Sequence, residues 1–534
     1  MKKIDLLIRG GLIYDGTGSE PFEGDIGISA DRIAFIQQKT AGRKQKAGTG
    51  AYIIIDAKDM AVAPGFIDTH AHSEFTLLAD PRAEGKISQG ITTEINGNCG
   101  LSAAPLLGEA LKRREEDLKE LGIRERWSDF GEYFKILEER GISMNFASLA
   151  GHGNIRACVT GYEDRKSTVS EIKKMRILLK KSFKEGAIGL STGLIYPPGL
   201  YADTKELIDL SCVCNNLIYT SHMRSEGDRL IESIEEIIRI GSESGIKVHI
   251  SHIKTSGDKN WHKIDKAVSL IEESRRKKIP VTCDRYPYTA ASTDLDVVLP
   301  DWVYEGGAEE EIKKLKSPEV KEKIKRAILS EHPEKDYWDT IYISSASLIK
   351  NRWMEGKSLA KIAGYLSAEP VDMLLKILVD EKLRVGAIFS SMCEENLRRF
   401  LSLPYVTIGT DSSARSADGP TYKGKPHPRG FGSFPRFLGQ YVRDNSLMGL
   451  SEAIRKITML PAQIFNIHKR GVLKNAAFAD IVLFDYKRII DKATFDKPFL
   501  KPEGIDYVIV NGKSAVWEGE LTGIRAGRVL RNGR

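Results

Sequence analysis

Six residues of metal-ligand type stand out by where they fall in the chain. His70 and His72 sit two apart in FIDTHAHSE; Cys99 lies in INGNCG, His222 in YTSHMRSEG, His252 in VHISHIKTSG and Asp411 in TIGTDSS. Each follows or closes an apolar run of β character. In extended chain residues i and i+2 project the same way, so His70 and His72 can face one point. Taken singly, each has a dull explanation: a solvated strand-end histidine, a core cysteine, a pair of surface imidazoles. Their joint occurrence at equivalent places carries the weight. Imidazole and thiol together indicate zinc, because magnesium and calcium prefer oxygen ligands. Cys99, His222 and His252 make a candidate three-ligand set with a fourth position open to water, and His70, His72 and Asp411 could hold a second ion.

Such a constellation needs a scaffold that brings distant strand ends together. Eight apolar β runs can be counted: Phe66–His70, Ile91–Asn96, Asn145–His152, Ala187–Thr192, Leu217–His222, Lys247–His252, Pro280–Tyr286 and Tyr405–Asp411. Helical periodicity separates most of them, as in TVSEIKKMRILLKKSFKEG and RLIESIEEIIRIGSESG. The pattern predicts an α/β fold, a (β/α)8 TIM-like barrel whose catalytic residues sit at the C-terminal ends of the strands. Five of the eight ends deliver the six candidates, the first of them two. His249, three residues before His252, is expected on the other face. His152 ends the third run and reads as a packed structural residue; Cys212 and Cys214 in SCVC read as core.

The fourth strand is informative by omission. AIGLSTGL offers no lysine or glutamate to bridge two ions, which leaves Cys99 as the available bridge. Both chain ends are rich in short β runs broken by Gly and Asp, which predicts a small β-sandwich assembled from the two termini. The expected organisation is residues 1–62 as the first part of the sandwich, 63–465 as the catalytic barrel and 466–534 as the second part. A plain barrel needs about 250 residues. Much of the excess falls around 287–404, where EEEIKKLKSPEVKEKIKRAILSEHPEKD reads as solvated helices or as a mobile lid over the site.

Composition sets outer limits. The chain has 534 residues, 80 basic and 73 acidic, for a net charge of +7. So thin an excess gives no reason to expect nucleic acid or an anionic membrane as partner. No run of about 18 apolar residues is present, so no membrane span is expected. Six cysteines cannot form a disulfide framework, and MKKIDLLIRGGLIYDG lacks the apolar core of a secretory signal. A cytoplasmic location is expected.

The finer motifs are PGFIDTHAHSE, NGNCG, GLSTGLIYPPGLYA, SHMRSEGD, HISHIK, DRYPYTAAST, IGTDSS and KPHPRGFGSFPRFLG. In this order the chain resembles the N-acyl-D-amino-acid deacylases (D-aminoacylases) of the amidohydrolase superfamily. With the β-rich ends, the resemblance covers nearly the whole sequence. It implies zinc held tightly by Cys99, His222 and His252, with His70, His72 and Asp411 at a weaker second site. It implies Asp411 as catalytic acid/base and substrate contacts from Lys254, Tyr196, Tyr286, Ser292 and Arg429. Two departures bear on side-chain selectivity. The segment SSARSADGPTYKGK after Asp411 is longer than the family's compact loop and adds Arg415, and TDSS lacks the expected Gly.

The chemistry that follows is zinc-dependent hydrolysis of the amide of a small N-acyl-D-amino acid, giving a carboxylic acid and a free D-amino acid. Zinc lowers the pKa of bound water from about 15.7 to about 7, so metal-bound hydroxide is the expected nucleophile. Asp411 would take the water's proton and hand it to the leaving nitrogen. Tyr286 or a backbone N–H would serve the oxyanion. Arg429 suits the substrate carboxylate because a guanidinium pairs with both oxygens, unless it pairs an internal acid instead. Three other readings compete: a dihydroorotase- or hydantoinase-like cyclic-amide hydrolase, a D-specific dipeptidase, and a metal-free barrel scaffold. The preference for D substrates rests on the resemblance alone, and the ligand pattern says nothing of oligomeric state.

Overall fold

In the computed structural model, which describes residues 3–39 and 51–533, both chain ends enter one nine-stranded sheet. Residues 1–2, 40–50 and 534, inside the two end segments named above, lie outside the described residues. Strands Leu6–Ile13, Phe22–Ser29, Arg32–Gln38, Ile53–Asp56 and Ala61–Pro64 come from the first end. Ile481–Phe484, Ile505–Val510, Lys513–Trp517 and Glu520–Leu521 come from the last. The join is antiparallel, Ala61–Pro64 against Ile481–Phe484. Apolar residues alternating along the strands share one core, in which Ile8, Ile26 and Ile28 pack with Ala479, Ile481 and Ile509, so the sheet folds over on itself as a sandwich does.

The barrel begins at Phe66, with Gly65 alone between it and the sheet strand Ala61–Pro64. Its strands are Phe66–Asp68, Ile91–Asn96, Asn145–Ser148, Gly189–Gly193, Ile218–His222, Lys247–Ile250, Val281–Arg285 and Val406–Ile408, and every pairing between them is parallel. Ile188 N–H donates to Ser148 O at 2.9 Å between the third and fourth strands. Asp411 N–H donates to His70 O at 2.8 Å and closes the ring between the eighth and the first. Near-continuous burial of these strands is what a sheet covered on both faces requires. The outer helices follow their apolar stripe: Leu230–Ser244 buries Leu230, Ile234, Ile237 and Ile240 and stops at Gly245, whose φ of 71° is left-handed.

The regular strands end earlier than the sequence suggests. The sixth stops at Ile250 and the eighth at Ile408, so His252 and Asp411 stand on the turns beyond. His152 is no strand end. It opens the helix His152–Thr160, with Nε2 2.8 Å from Glu206, a structural pairing.

Between the seventh and eighth strands the chain builds a subdomain with a core of its own. Strands Ala290–Asp294, Val385–Ser390 and Ile341–Ala346 form an antiparallel sheet in that order. The mixed-charge stretch forms helices Ala308–Lys316 and Pro318–Glu331, which bury Leu315, Ile324 and Ile328 against Trp338 and Leu374. These helices are therefore half-buried packing elements rather than fully solvated ones. Among the described residues no helix is long and apolar enough to cross a membrane.

Candidate metal centre and active site

The barrel mouth opens into a cavity of about 1470 Å³, lined by loops from the strand ends and by the subdomain above them. At its base the structure gathers all six ligand candidates. Cys99 Sγ lies 3.3 Å from His70 Nε2 and 3.4 Å from His252 Nε2. Asp411 Oδ1 lies 3.5 Å from His70 Nε2 and 3.3 Å from His72 Nε2. The His222 and His252 rings are 4.4 Å apart, centroid to centroid. Cys99 thus stands between the imidazoles at the end of the second strand, while the fourth strand, Gly189–Gly193, adds no charged side chain.

Backbone strain marks the same residues. Cys99, His252 and Asp411 have φ of 53°, 34° and 49°. Non-glycine residues rarely occupy this region, each at a cost of order 1–3 kcal/mol. The glycines of NGNCG make the turn at Cys99 feasible. Gly97 has φ 74°, and a Cβ there would meet Leu149 O at 2.1 Å. Gly100 has φ 72°, and a Cβ there would meet Gly193 N at 2.7 Å.

Supporting carboxylates orient the rings. Asp284 Oδ2 accepts from His70 Nδ1 at 3.2 Å and from His249 Nε2 at 2.9 Å, and its Oδ1 accepts the His252 N–H at 2.8 Å. Glu226 Oε1 lies 2.8 Å from His252 Nδ1 and also pairs with Lys254. Both rings present Nε2 to Cys99; at His70 the carboxylate fixes tautomer and direction as in metal-binding histidines, while His252 Nδ1 also lies 2.9 Å from Lys254 Nζ. His249 does not point to the far face as expected. It reaches into the barrel interior beneath His70, because the chain leaves the extended form after Ile250 and the two-residue alternation no longer relates it to His252. Asp284 and Glu226 escape sequence reasoning, although each sits in a quoted motif, DRYPYTAAST and SHMRSEGD. A strand-end Asp on the seventh strand was the available signal for the first.

The electrostatics are those of a crowded ion site. Burial raises the Cys99 thiol, but the charges of His70 and His252 outweigh it and hold the group well below its ordinary value. Asp411 is likewise held low against burial by Arg429, His252 and His70. Burial lowers His72, yet hydrogen bonding to Asp411 and Cys99 carries it up to about 9. His222 moves the other way, its charged form disfavoured by burial. Neither ring nitrogen of His222 makes a well-formed hydrogen bond, although the residue is buried; Glu226 Oε2 stands 3.8 Å from Nε2, and the Cys99 sulfur is also beside the ring. Orphaned buried polar atoms are rare and need an explanation. A thiolate, a neutral imidazole with a free nitrogen and further imidazoles around one point fit zinc.

The substrate-contact candidates ring the same floor. Arg429 Nη1 lies 2.9 Å from Asp411 Oδ2, its Nη2 donates to Ser292 O at 3.1 Å, and its guanidinium stacks 4.6 Å over the Tyr286 ring. It does meet an internal acid, but that acid is Asp411 itself. His427 accepts the Arg429 N–H on Nδ1 at 3.0 Å. Burial first, and the Arg429 charge next, keep His427 neutral. Tyr196 O–H contacts Thr293 Oγ1 at 3.0 Å, with its ring against His222. Lys254 and Tyr286 are buried and Ser292 lines the cavity from the subdomain. The Tyr286 hydroxyl has no partner.

Comparison with known proteins gives this geometry its context. The profile of the amidohydrolase family matches residues 54–211 and 406–516. A D-aminoacylase of Alcaligenes xylosoxydans xylosoxydans is 35% identical over 531 residues, covering 98% of this chain and 97% of that one. The chain belongs to the amidohydrolase family. A crystal structure of N-acyl-D-glutamate deacylase from Bordetella bronchiseptica, complexed with zinc and a phosphonate mimic of the tetrahedral intermediate, superposes with a TM-score of 0.82. It is 32% identical, with 99% and 100% of the two chains covered. A D-aminoacylase described for its binuclear metal centre superposes at 0.81 with 31% identity, covering 99% of this chain and 100% of that one.

Proposed function

We infer that this amidohydrolase uses zinc to cleave the linear amide of N-acyl-D-amino acids, releasing a carboxylic acid and a free D-amino acid. The observation that carries the reading is the buried His222, neither of whose nitrogens makes a well-formed hydrogen bond, beside the Cys99–His252 pair and Asp411. We assign the tight ion to Cys99, His222 and His252 and a weaker one to His70, His72 and Asp411. When bound, zinc supplies Lewis acidity at the carbonyl oxygen and water acidic enough to attack at neutral pH.

The chain's own residues do the rest. Asp411 is ionised at neutral pH, so it can accept a proton from the attacking water. It returns that proton to the amide nitrogen as the C–N bond breaks. Arg429 offers a planar guanidinium to the substrate carboxylate, with Lys254, Tyr196 and Ser292 around it. The buried Tyr286 hydroxyl is free to donate to the developing oxyanion. Burial raises its phenol, but Lys254, Arg285 and Arg429 outweigh this and bring it below its usual value, which makes it a stronger donor.

Three organisational proposals accompany this reading. The divisions 1–62, 63–465 and 466–534, with the insertion at 287–404, are supported by the shared sheet of the two chain ends and by the separate core between the seventh and eighth barrel strands. A cytoplasmic location suits a site whose Cys99 must stay reduced. The partner is a small molecule, neither nucleic acid nor membrane. The test is incubation with N-acetyl-D- and N-acetyl-L-amino acids of varied side chain. Release of free D-amino acid supports the reading, and release from the L series alone, or from neither, overturns it.

A further inference from the structure

The loop that follows Asp411 carries a guanidinium the proposed reaction leaves unused. Its backbone is pinned at three points. Ala414 N–H donates to Ser73 Oγ at 2.8 Å, Gly85 N–H donates to Arg415 O at 2.8 Å, and Ser416 N–H donates to Thr421 Oγ1 at 3.0 Å. Arg415 is half-buried and lines the catalytic cavity. Its Nη1 donates to Thr421 O at 3.4 Å and Lys423 O at 3.2 Å. These bonds hold the head group by Nη1 and leave Nε and Nη2 without a hydrogen-bond partner among the described residues.

Other arginines of this cavity are accounted for. Arg114 lies 3.0 Å from Asp117 and Arg224 lies 2.8 Å from Glu236, and Arg429, 2.9 Å from Asp411, already has the first substrate carboxylate in the proposed reaction. Arg113 and Arg229 are exposed. Arg415 is neither exposed nor paired: no carboxylate among the described residues counters its charge, and burial alone pushes its pKa down. Holding an uncompensated cation at a cavity wall costs free energy that an incoming anion would offset. Arg415 is four positions after Asp411, so their Cα atoms are at most about 14 Å apart. That is within the span of a small substrate whose scissile amide sits at Asp411.

We propose that Arg415 forms a second anion subsite, which takes a further carboxylate of a dianionic N-acyl amino acid while Arg429 takes the first. The extra carboxylate comes either from the amino-acid side chain or from the acyl group. The inference rests on the deacylase reading above and adds a substrate class to it. Arg415 then reads charge and not shape, because its planar fork is matched by a carboxylate and not by the isosteric amide.

The experiment compares kcat/KM in matched pairs on the zinc-loaded enzyme: N-acetyl-D-glutamate against N-acetyl-D-glutamine, and N-succinyl-D-leucine against its succinamyl counterpart. In the wild type one pair favours the carboxylate by about ten- to a hundredfold, and which pair does so identifies the source of the anion. Arg415→Gln brings that ratio close to one, and Arg415→Lys leaves it in between. Because each ratio is taken within one protein, partial loss of folding cancels. Turnover of these compounds with ratios unchanged by Arg415→Gln, or with no preference in the wild type, overturns the assignment. Absence of turnover of every compound instead defeats the deacylase reading on which it rests.

Discussion

Two buried clusters of charge share the mouth of this barrel, and they are built on opposite principles. In one, Lys86 Nζ reaches Asp68 Oδ2 at 2.8 Å, Glu94 Oε1 at 2.7 Å, Thr410 Oγ1 at 2.7 Å and Ser412 O at 3.0 Å. Asp68 in turn accepts the Thr410 N–H at 2.8 Å, and Glu94 accepts from Ser73 and Asn96. Every polar atom there has a partner within the chain. In the other, a thiol, four imidazoles and Asp411 crowd together on strained backbone, and neither nitrogen of His222 makes a well-formed hydrogen bond. The closed cluster grips Thr410 and Ser412, the two neighbours of Asp411. Self-sufficiency marks the frame, and unsatisfied atoms mark where an outside group belongs.

The largest effect expected on the open cluster is chemical. Asp411→Asn lowers kcat by about 10²–10⁴ while zinc per chain stays near the wild-type value, measured by turnover and metal analysis together. Near-normal turnover by the zinc-replete variant removes Asp411 from proton transfer. In the closed cluster the largest effect is on folding. Lys86→Met strands two buried carboxylates and lowers unfolding free energy by about 3–5 kcal/mol in urea titration. A loss below about 1 kcal/mol would show that the closed network contributes little to the frame.

Asp284 stands between the two kinds, since it is satisfied but serves the open cluster. Asp284→Asn leaves the ring orientations of His70 and His252 less well fixed, and zinc affinity falls about 10- to 100-fold by competition with a chelator. Unchanged affinity would make Asp284 a frame residue only. The smallest effect per pH unit belongs to the subdomain above, where Glu311 is buried with one carboxylate oxygen unpartnered. Burial, with Asp296 adding to it, pushes Glu311 up to about 8. The unfolded chain binds fewer protons than the folded one between about pH 4.5 and 8, so stability falls as pH rises through that window and levels off above it. Glu311→Gln flattens this slope by at most about 1.4 kcal/mol per pH unit. A slope that is the same in the variant assigns the pH dependence elsewhere.

How much of this was legible in the sequence follows from how rare each residue type is. Histidine and cysteine are scarce, so their recurrence at β-run ends pointed to the barrel mouth before any geometry was known. Arg429 was found through the chemistry of its partner carboxylate and through the resemblance. Lys86, Asp68, Glu94, Asp284 and Glu226 were not found, because Asp, Glu and Lys are common on every surface and only the closed barrel brings them and their partners together. Lys86 and Thr410 are 324 positions apart. The facing of His249 was misread for a different reason. Strand alternation holds only while the chain stays extended, and the left-handed turn at His252 ends it. The subdomain's antiparallel sheet was hidden by the charged helices around it, whose buried stripe is only a few residues wide.

The central claim is that Cys99 and histidines from distant strands hold one zinc ion beside Asp411. X-ray absorption at the zinc edge tests it most directly. The account predicts one sulfur neighbour at about 2.3 Å and nitrogen neighbours at about 2.0–2.1 Å in the zinc-loaded enzyme, with the sulfur shell lost in Cys99→Ala. A tightly bound zinc with nitrogen and oxygen neighbours alone, or a sulfur shell that survives in Cys99→Ala, would contradict it.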